Sequence, residues 1–139
     1  MADALVATLT RVGTAAFEAE AGSGGTLVLD GTPKIGGEGK GMRPMELLVT
    51  ALAGCAAMDV VSILAKQKEP LEDLTIEVEA ARKDAVPAKL ESAHLRFTAT
   101  GDVNPKKLER AVRLSVEKYC SVKDSLDPNL PVTFETILT

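Results

Sequence analysis

The sequence predicts an α+β fold with the order βββ-α-ββ-α-β. Three features carry it: short alternating segments before residue 31, a long apolar helical run from Pro44 to Gln67, and a strand-strand-helix-strand pattern after Pro70. At 139 residues there is enough chain for one hydrophobic core and too little for two, so residues 1–139 are expected to form a single domain. The 45% hydrophobic and 26% charged content is that of a globular protein. Only 3% of residues are aromatic, so Ala, Val, Leu and Ile must build the core. These bury less area per side chain than aromatics do, which favours a chain that gains stability from a partner.

Taken in order, Leu5–Val12, Thr14–Ala21 and Thr26–Asp30 alternate apolar and polar side chains and are separated by Gly-containing turns, which reads as a β-meander. Residues Gly31 to Gly41 are rich in Gly and Lys without an apolar period and read as a mobile connection or an active-site flap. Their glycine spacing, with no Ser or Thr after Lys40, does not meet the needs of a phosphate-binding P-loop. Pro44 suits the first turn of a helix because it lacks an amide hydrogen that would be unpaired there. The helix it opens is about 35 Å long at roughly 1.5 Å per residue, and its apolar circumference predicts burial on nearly all sides. Asp59 in its middle and the surrounding β-pattern argue for a core helix over a membrane span. Leu74–Lys83 and Leu90–Thr100 read as an antiparallel hairpin, with His94 on its polar face. Asn104 and Pro105 are the cap and first residue of a second helix whose apolar side is Leu108, Ala111, Val112, Val116 and Tyr119. Cys120 stands at its end, a short turn follows to Leu126, and Val132–Leu138 forms the last strand.

Composition also excludes functions. A net charge of −4 without a Lys/Arg run argues against nucleic acid, because neutralising phosphates needs a concentrated cationic patch. Asp3 stands where a secretory signal would carry basic residues, and no apolar region follows before Arg11, so the cytoplasm is the expected compartment. One histidine and two distant cysteines supply no metal-ligand set, so neither metal nor cofactor is expected.

Cys55 and Cys120 are the only cysteines. In a reducing compartment they are either inert core residues or a redox pair. A thiol peroxidase needs a thiolate to attack the peroxide oxygen, a group to stabilise the leaving alkoxide, and a second thiol to resolve the sulfenic acid. Cys55 lies too far along its helix for the N-terminal dipole to activate it, so a cation must come from elsewhere. Arg43 is the preferred candidate, then Arg11, with Lys40 and Lys66 behind them. Asp59 falls one turn beyond Cys55, where its carboxylate would raise the thiol pKa or hold an arginine in place. Glu46 is about 13 Å before Cys55 along the helix and out of phase with it, so it could act at this thiol only from a second subunit.

The run Pro44-Met45-Glu46-Leu47-Leu48 leading to Ala53-Gly54-Cys55, with Lys118-Tyr119-Cys120-Ser121-Val122 near the end, resembles the osmotically inducible protein C and organic hydroperoxide resistance superfamily over essentially the whole chain. The resemblance implies an intertwined homodimer with long central helices buried at its middle and sites at the interface. It also implies an antioxidant stress-response activity in which Cys55 attacks an organic hydroperoxide and Cys120 resolves it, with a dihydrolipoyl group or another dithiol as reductant. Enzymatic branches carry an N-terminal arginine and a glutamate directly after the helix-opening proline. Here Met45 holds that place, and Glu46, one residue on, is turned about 100° around the helix. The sequence is therefore similar to the less-characterised branch that keeps both cysteines. The alternative is a homodimer that binds a small apolar molecule or senses redox state, with packing cysteines; a third is a thiol enzyme acting on another electrophile.

Overall fold

The computed structural model describes residues 4–139, so the acidic start at Asp3 lies outside the described residues. The element order is β1 (Ala7–Arg11), β2 (Phe17–Ala21), β3 (Thr26–Leu29), α1 (Pro44–Lys66), β4 (Leu71–Arg82), β5 (Leu90–Gly101), α2 (Pro105–Leu114), α3 (Ser121–Asp124) and β6 (Val132–Leu138). A 3-10 turn at Pro33–Ile35 precedes α1, and a π turn at Ser115–Tyr119 links α2 to α3. The α+β class and the βββ-α-ββ-α-β order are those the sequence predicts. By contacts the chain forms two compact units, Met1–Leu48 and Val49–Thr139.

In the first unit β1, β2 and β3 form an antiparallel meander with Leu9 opposite Ala19 and Ala19 opposite Leu27. Period-2 alternation puts Leu9, Ala19 and Leu27 on one face and Thr8, Glu20 and Thr26 on the other. Leu9, Phe17 and Leu27 are exposed all the same. The segment from Gly31 to Gly41 is not a loose connection. Buried Asp30 accepts hydrogen bonds from the amides of Gly31 (2.8 Å), Glu38 (2.9 Å) and Lys40 (3.1 Å). These bonds, those to Glu38 and Lys40 foremost, hold its carboxyl below the usual carboxylate range. A side chain at Gly37 would lie 1.8 Å from the Gly31 carbonyl oxygen, so the loop closes on itself only with glycine there. The Asp30 amide then donates to the Met42 carbonyl at 3.0 Å, bringing the two ends of the loop together.

In the second unit β5 is the central strand, antiparallel to β4 and parallel to β6. A parallel neighbour requires a crossover, which α2 and the turns after it supply. Leu95, Phe97 and Ala99 point to one side, where they pack with Ala56, Val60 and Leu64 of α1 and with Leu108, Ala111 and Val112 of α2. His94 and Arg96 point to the other. There His94 Nε2 and Arg96 Nε both contact Glu135 Oε1, at 3.1 and 2.9 Å, so the polar-face reading of His94 holds. Asn104 caps α2, its side-chain oxygen accepting from the amides of Lys106 (2.9 Å) and Lys107 (3.2 Å).

Two further expectations change. The helix α1 is long and apolar enough to cross a membrane by length and composition, yet it is a core helix that buries one stripe, Leu52, Ala53, Ala56, Val60 and Leu64. Burial on nearly all sides is not met within one chain, since Met58 is 74% exposed and Val61 is exposed too. Tyr119 does not join the apolar side of α2 but is exposed. The wider π turn changes the angular step per residue and carries Tyr119 out of phase with Leu108 and Val112.

Candidate active site

Cys55 lies in the middle of α1, half-buried, and Cys120 follows the π turn with only 3% of its surface exposed. The two share a small apolar cluster with Leu52, Ala93, Val122, Leu126 and Val132. The i→i+5 bond of the π turn, from the Cys120 amide to the Ser115 carbonyl (2.9 Å), ends the helix and leaves Cys120 in extended backbone as the cap of α3. Its sulfur accepts from the Lys123 amide at 3.4 Å and faces the Leu52 carbonyl at 4.0 Å. Burial pushes the Cys120 thiol up from its ordinary value of 9.0; the Lys123 amide opposes this, and the neighbouring Cys55 side chain adds to it by hydrogen bonding and by charge. Chemically the arrangement is one half-buried cysteine beside one enclosed thiol whose pKa burial raises.

The other predicted residues fall as follows. Glu46 Oε1 accepts from the Arg43 amide at 2.9 Å, half of a capping box that fixes the start of α1. That cap uses the backbone of Arg43 and not its guanidinium. The guanidinium of Arg11 donates to the Thr14 carbonyl at 3.2 Å through Nε and 3.1 Å through Nη2, closing the turn between β1 and β2. Arg11, Arg43 and Glu46 belong to the first unit, and Asp59 with both cysteines to the second. Asp59, expected to act on Cys55 or to hold an arginine, has its carboxylate 3.3 Å from the Ser115 hydroxyl. It also lines a cavity of about 430 Å³ with Ile63, Lys66, Leu114 and Tyr119. Among the described residues no cluster of three or more His, Cys, Asp or Glu could hold a metal.

Two residues escaped the sequence reading. Asp30 carried a signal, a carboxylate directly before a glycine-rich run full of amides in need of acceptors. Ser115 carried another, since it falls on the stripe of Leu108, Ala111, Val112 and Val116, a hydroxyl among apolar side chains.

The family model for the OsmC-like protein matches residues 37–135, which include α1 and both cysteines. The chain belongs to the OsmC-like family. Within it, the chain is 36% identical over 118 residues to protein YhfA of Escherichia coli K12, covering 84% of this chain and 85% of that one. This places it with the less-characterised YhfA-like branch of the osmotically inducible protein C and organic hydroperoxide resistance superfamily. A crystal structure of a hypothetical protein from Aquifex aeolicus VF5 superposes with a TM-score of 0.83 at 31% identity, covering 99% of both chains. An organic hydroperoxide resistance protein OsmC from Legionella pneumophila superposes with a TM-score of 0.71 at 21% identity over 97% of each chain, a likeness of fold. Within this family the present member keeps a neighbouring cysteine pair.

Proposed function

We propose that the protein is a thiol-dependent peroxidase that reduces organic hydroperoxides through Cys55 and Cys120. The observation that carries this reading is the unequal setting of two neighbouring thiols, Cys55 half-buried and Cys120 enclosed with its pKa raised by burial. The half-buried cysteine attacks and the enclosed one waits. The Cys55 thiolate attacks the hydroperoxide, the O–O bond breaks, and the alkoxide leaves as an alcohol after taking a proton. The Cys55 sulfenic acid then reacts with the Cys120 thiol, an S–S bond forms, and the hydroxyl departs as water with the thiol proton. A dithiol, such as a dihydrolipoyl group, returns both sulfurs to thiols. The apolar neighbours Leu52, Val122 and Leu126 suit a hydroperoxide with an organic tail over hydrogen peroxide.

We assign stabilisation of the leaving oxygen to Arg43 first and Arg11 second, since an arginine can pair with developing negative charge. Glu46 acts by fixing the helix start, and Asp59 by its bond to Ser115. The whole chain, 1–139, serves as one OsmC-like domain in a cytoplasmic homodimer. Exposed Leu9, Phe17, Leu27 and Met58 support this, because apolar surface of that kind is stabilised by being covered by another copy.

The test adds stoichiometric cumene hydroperoxide to reduced protein and follows free thiols and intact mass. Loss of both thiols with two hydrogens is the expected result, and thiols that survive excess hydroperoxide overturn it. Cys55→Ser should abolish hydroperoxide consumption, while Cys120→Ser should accumulate a sulfenic acid that dimedone traps. The second reading, a small-molecule-binding or redox-sensing homodimer, draws on the cavity of about 430 Å³ beside Asp59 and gains if the thiols survive.

A further inference from the structure

Ser115 is fully buried and its hydroxyl donates to the carbonyl of Ala56, the residue directly after Cys55, at 3.1 Å. The carbonyl of the same residue accepts the Cys120 amide at 2.9 Å across the π turn. One residue thus connects the backbone beside one cysteine to the backbone of the other. The Asp59 carboxylate, 3.3 Å from the hydroxyl and one turn along α1, is a second acceptor for the same proton. A buried hydroxyl costs free energy unless it is hydrogen-bonded, and an alanine would fill an otherwise apolar stripe without that requirement. Packing alone does not call for serine here.

We propose that Ser115 is a positioning residue for the thiol pair: it ties the carbonyl next to Cys55 to the amide of Cys120 and so sets the separation at which the disulfide closes. The inference rests on the peroxidase reading. Disulfide geometry is narrow, with Cβ atoms about 3.5 to 4.5 Å apart, so a small displacement of one backbone relative to the other slows closure. In that step the S–O bond of the Cys55 sulfenic acid breaks, the S–S bond forms, and water leaves with the Cys120 proton. The hydroperoxide supplies the oxidising equivalents, and Ser115 itself gives up no atom.

The experiment compares wild type, Ser115→Ala, Ser115→Thr and Val112→Ala, the last removing buried volume from α2 while leaving the Ser115 bridge in place. Each is mixed with cumene hydroperoxide. Oxidation of Cys55, read by dimedone trapping, is separated from closure, read by loss of the second thiol. Ser115→Ala should oxidise Cys55 at the wild-type rate and close about tenfold more slowly, as expected when paired groups lose their preset geometry. In dithiothreitol redox buffers the same tenfold change in effective concentration raises its reduction potential by about 30 mV. Ser115→Thr, which keeps the hydroxyl, should close faster than Ser115→Ala, and Val112→Ala should close at the wild-type rate. Equal closure and potential in wild type and Ser115→Ala, or equal slowing in Val112→Ala, overturns the inference alone. A wild type that forms no Cys55–Cys120 disulfide overturns the peroxidase reading and the inference with it. Should Ser115→Ala fail to fold, hydrogen exchange in reduced wild type decides: the Cys120 amide should exchange as slowly as the amides of β5, and exchange at loop rates overturns the bridge.

Discussion

Leu9, Phe17 and Leu27 of the N-terminal sheet keep 55%, 37% and 40% of their surface exposed, whereas Leu95, Phe97 and Ala99 of the central C-terminal strand keep none. Both regions are three-stranded sheets with an apolar and a polar face, yet different forces hold them. In the first, ladder hydrogen bonds fix the register, and Asp30 gathers the following loop onto its carboxylate. In the second, side chains from α1, α2 and β5 exclude water from a shared core. The difference matters for chemistry. A disulfide needs two sulfurs at a narrow separation, and the thiol pair belongs to the unit that packs its own core. The N-terminal unit offers an uncovered apolar face, the kind of surface a second copy would bury.

Four measurements break or sharpen this contrast. The largest effect is expected in the C-terminal core, where Phe97→Ala should cost about 3–5 kcal/mol in urea unfolding because a fully buried aromatic leaves a cavity. A loss under about 1 kcal/mol would mean that the core is looser than its burial suggests. Next, Leu9→Glu puts a charge on the exposed sheet face and should shift a dimeric wild type towards monomer by sedimentation velocity. Wild type that sediments as monomer at micromolar concentration would remove the second copy from the account. Third, Asp30→Asn should speed amide exchange at Glu38 and Lys40 and leave β5 amides untouched, because the carboxylate serves only its loop. Asp30 has its carboxyl pKa lowered from 3.8 by those amides, chiefly that of Glu38. Its contribution is therefore complete above pH 3.8 and is lost as pH falls through the lowered value. Loop exchange at Glu38 and Lys40 that stays constant through this acid range would show that other contacts close the loop. The smallest effect belongs to Arg11→Ala, which removes bonds to one exposed turn carbonyl and should change stability by within about 0.5 kcal/mol.

The thiols add a pH test of the same kind. Burial keeps Cys120 protonated beyond its ordinary 9.0, so iodoacetamide should modify Cys55 first, with Cys120 following only in more alkaline solution or on unfolding. Peptide mapping after alkylation between pH 7 and 10 reads this directly, and equal labelling at both sites would contradict the enclosed setting of Cys120.

Much of the fold was legible because its signals are local. Alternation in Thr26–Asp30 and Val132–Leu138, Pro44 at a helix start and Asn104 at a cap act within a few residues, and each sits where it was expected. The sequence by itself determined the element order and the contexts of Cys55 and Cys120, since these follow from side-chain period, helix capping and residue type. Only the tertiary structure decided that β6 runs parallel to β5, that the two thiols share one apolar cluster, that Asp30 closes the glycine-rich loop, and that Ser115 joins the backbones beside the cysteines. These depend on groups distant in sequence. Their meeting is set by a crossover and by the sum of many weak packing contacts, for which no short stretch of residues carries a signature.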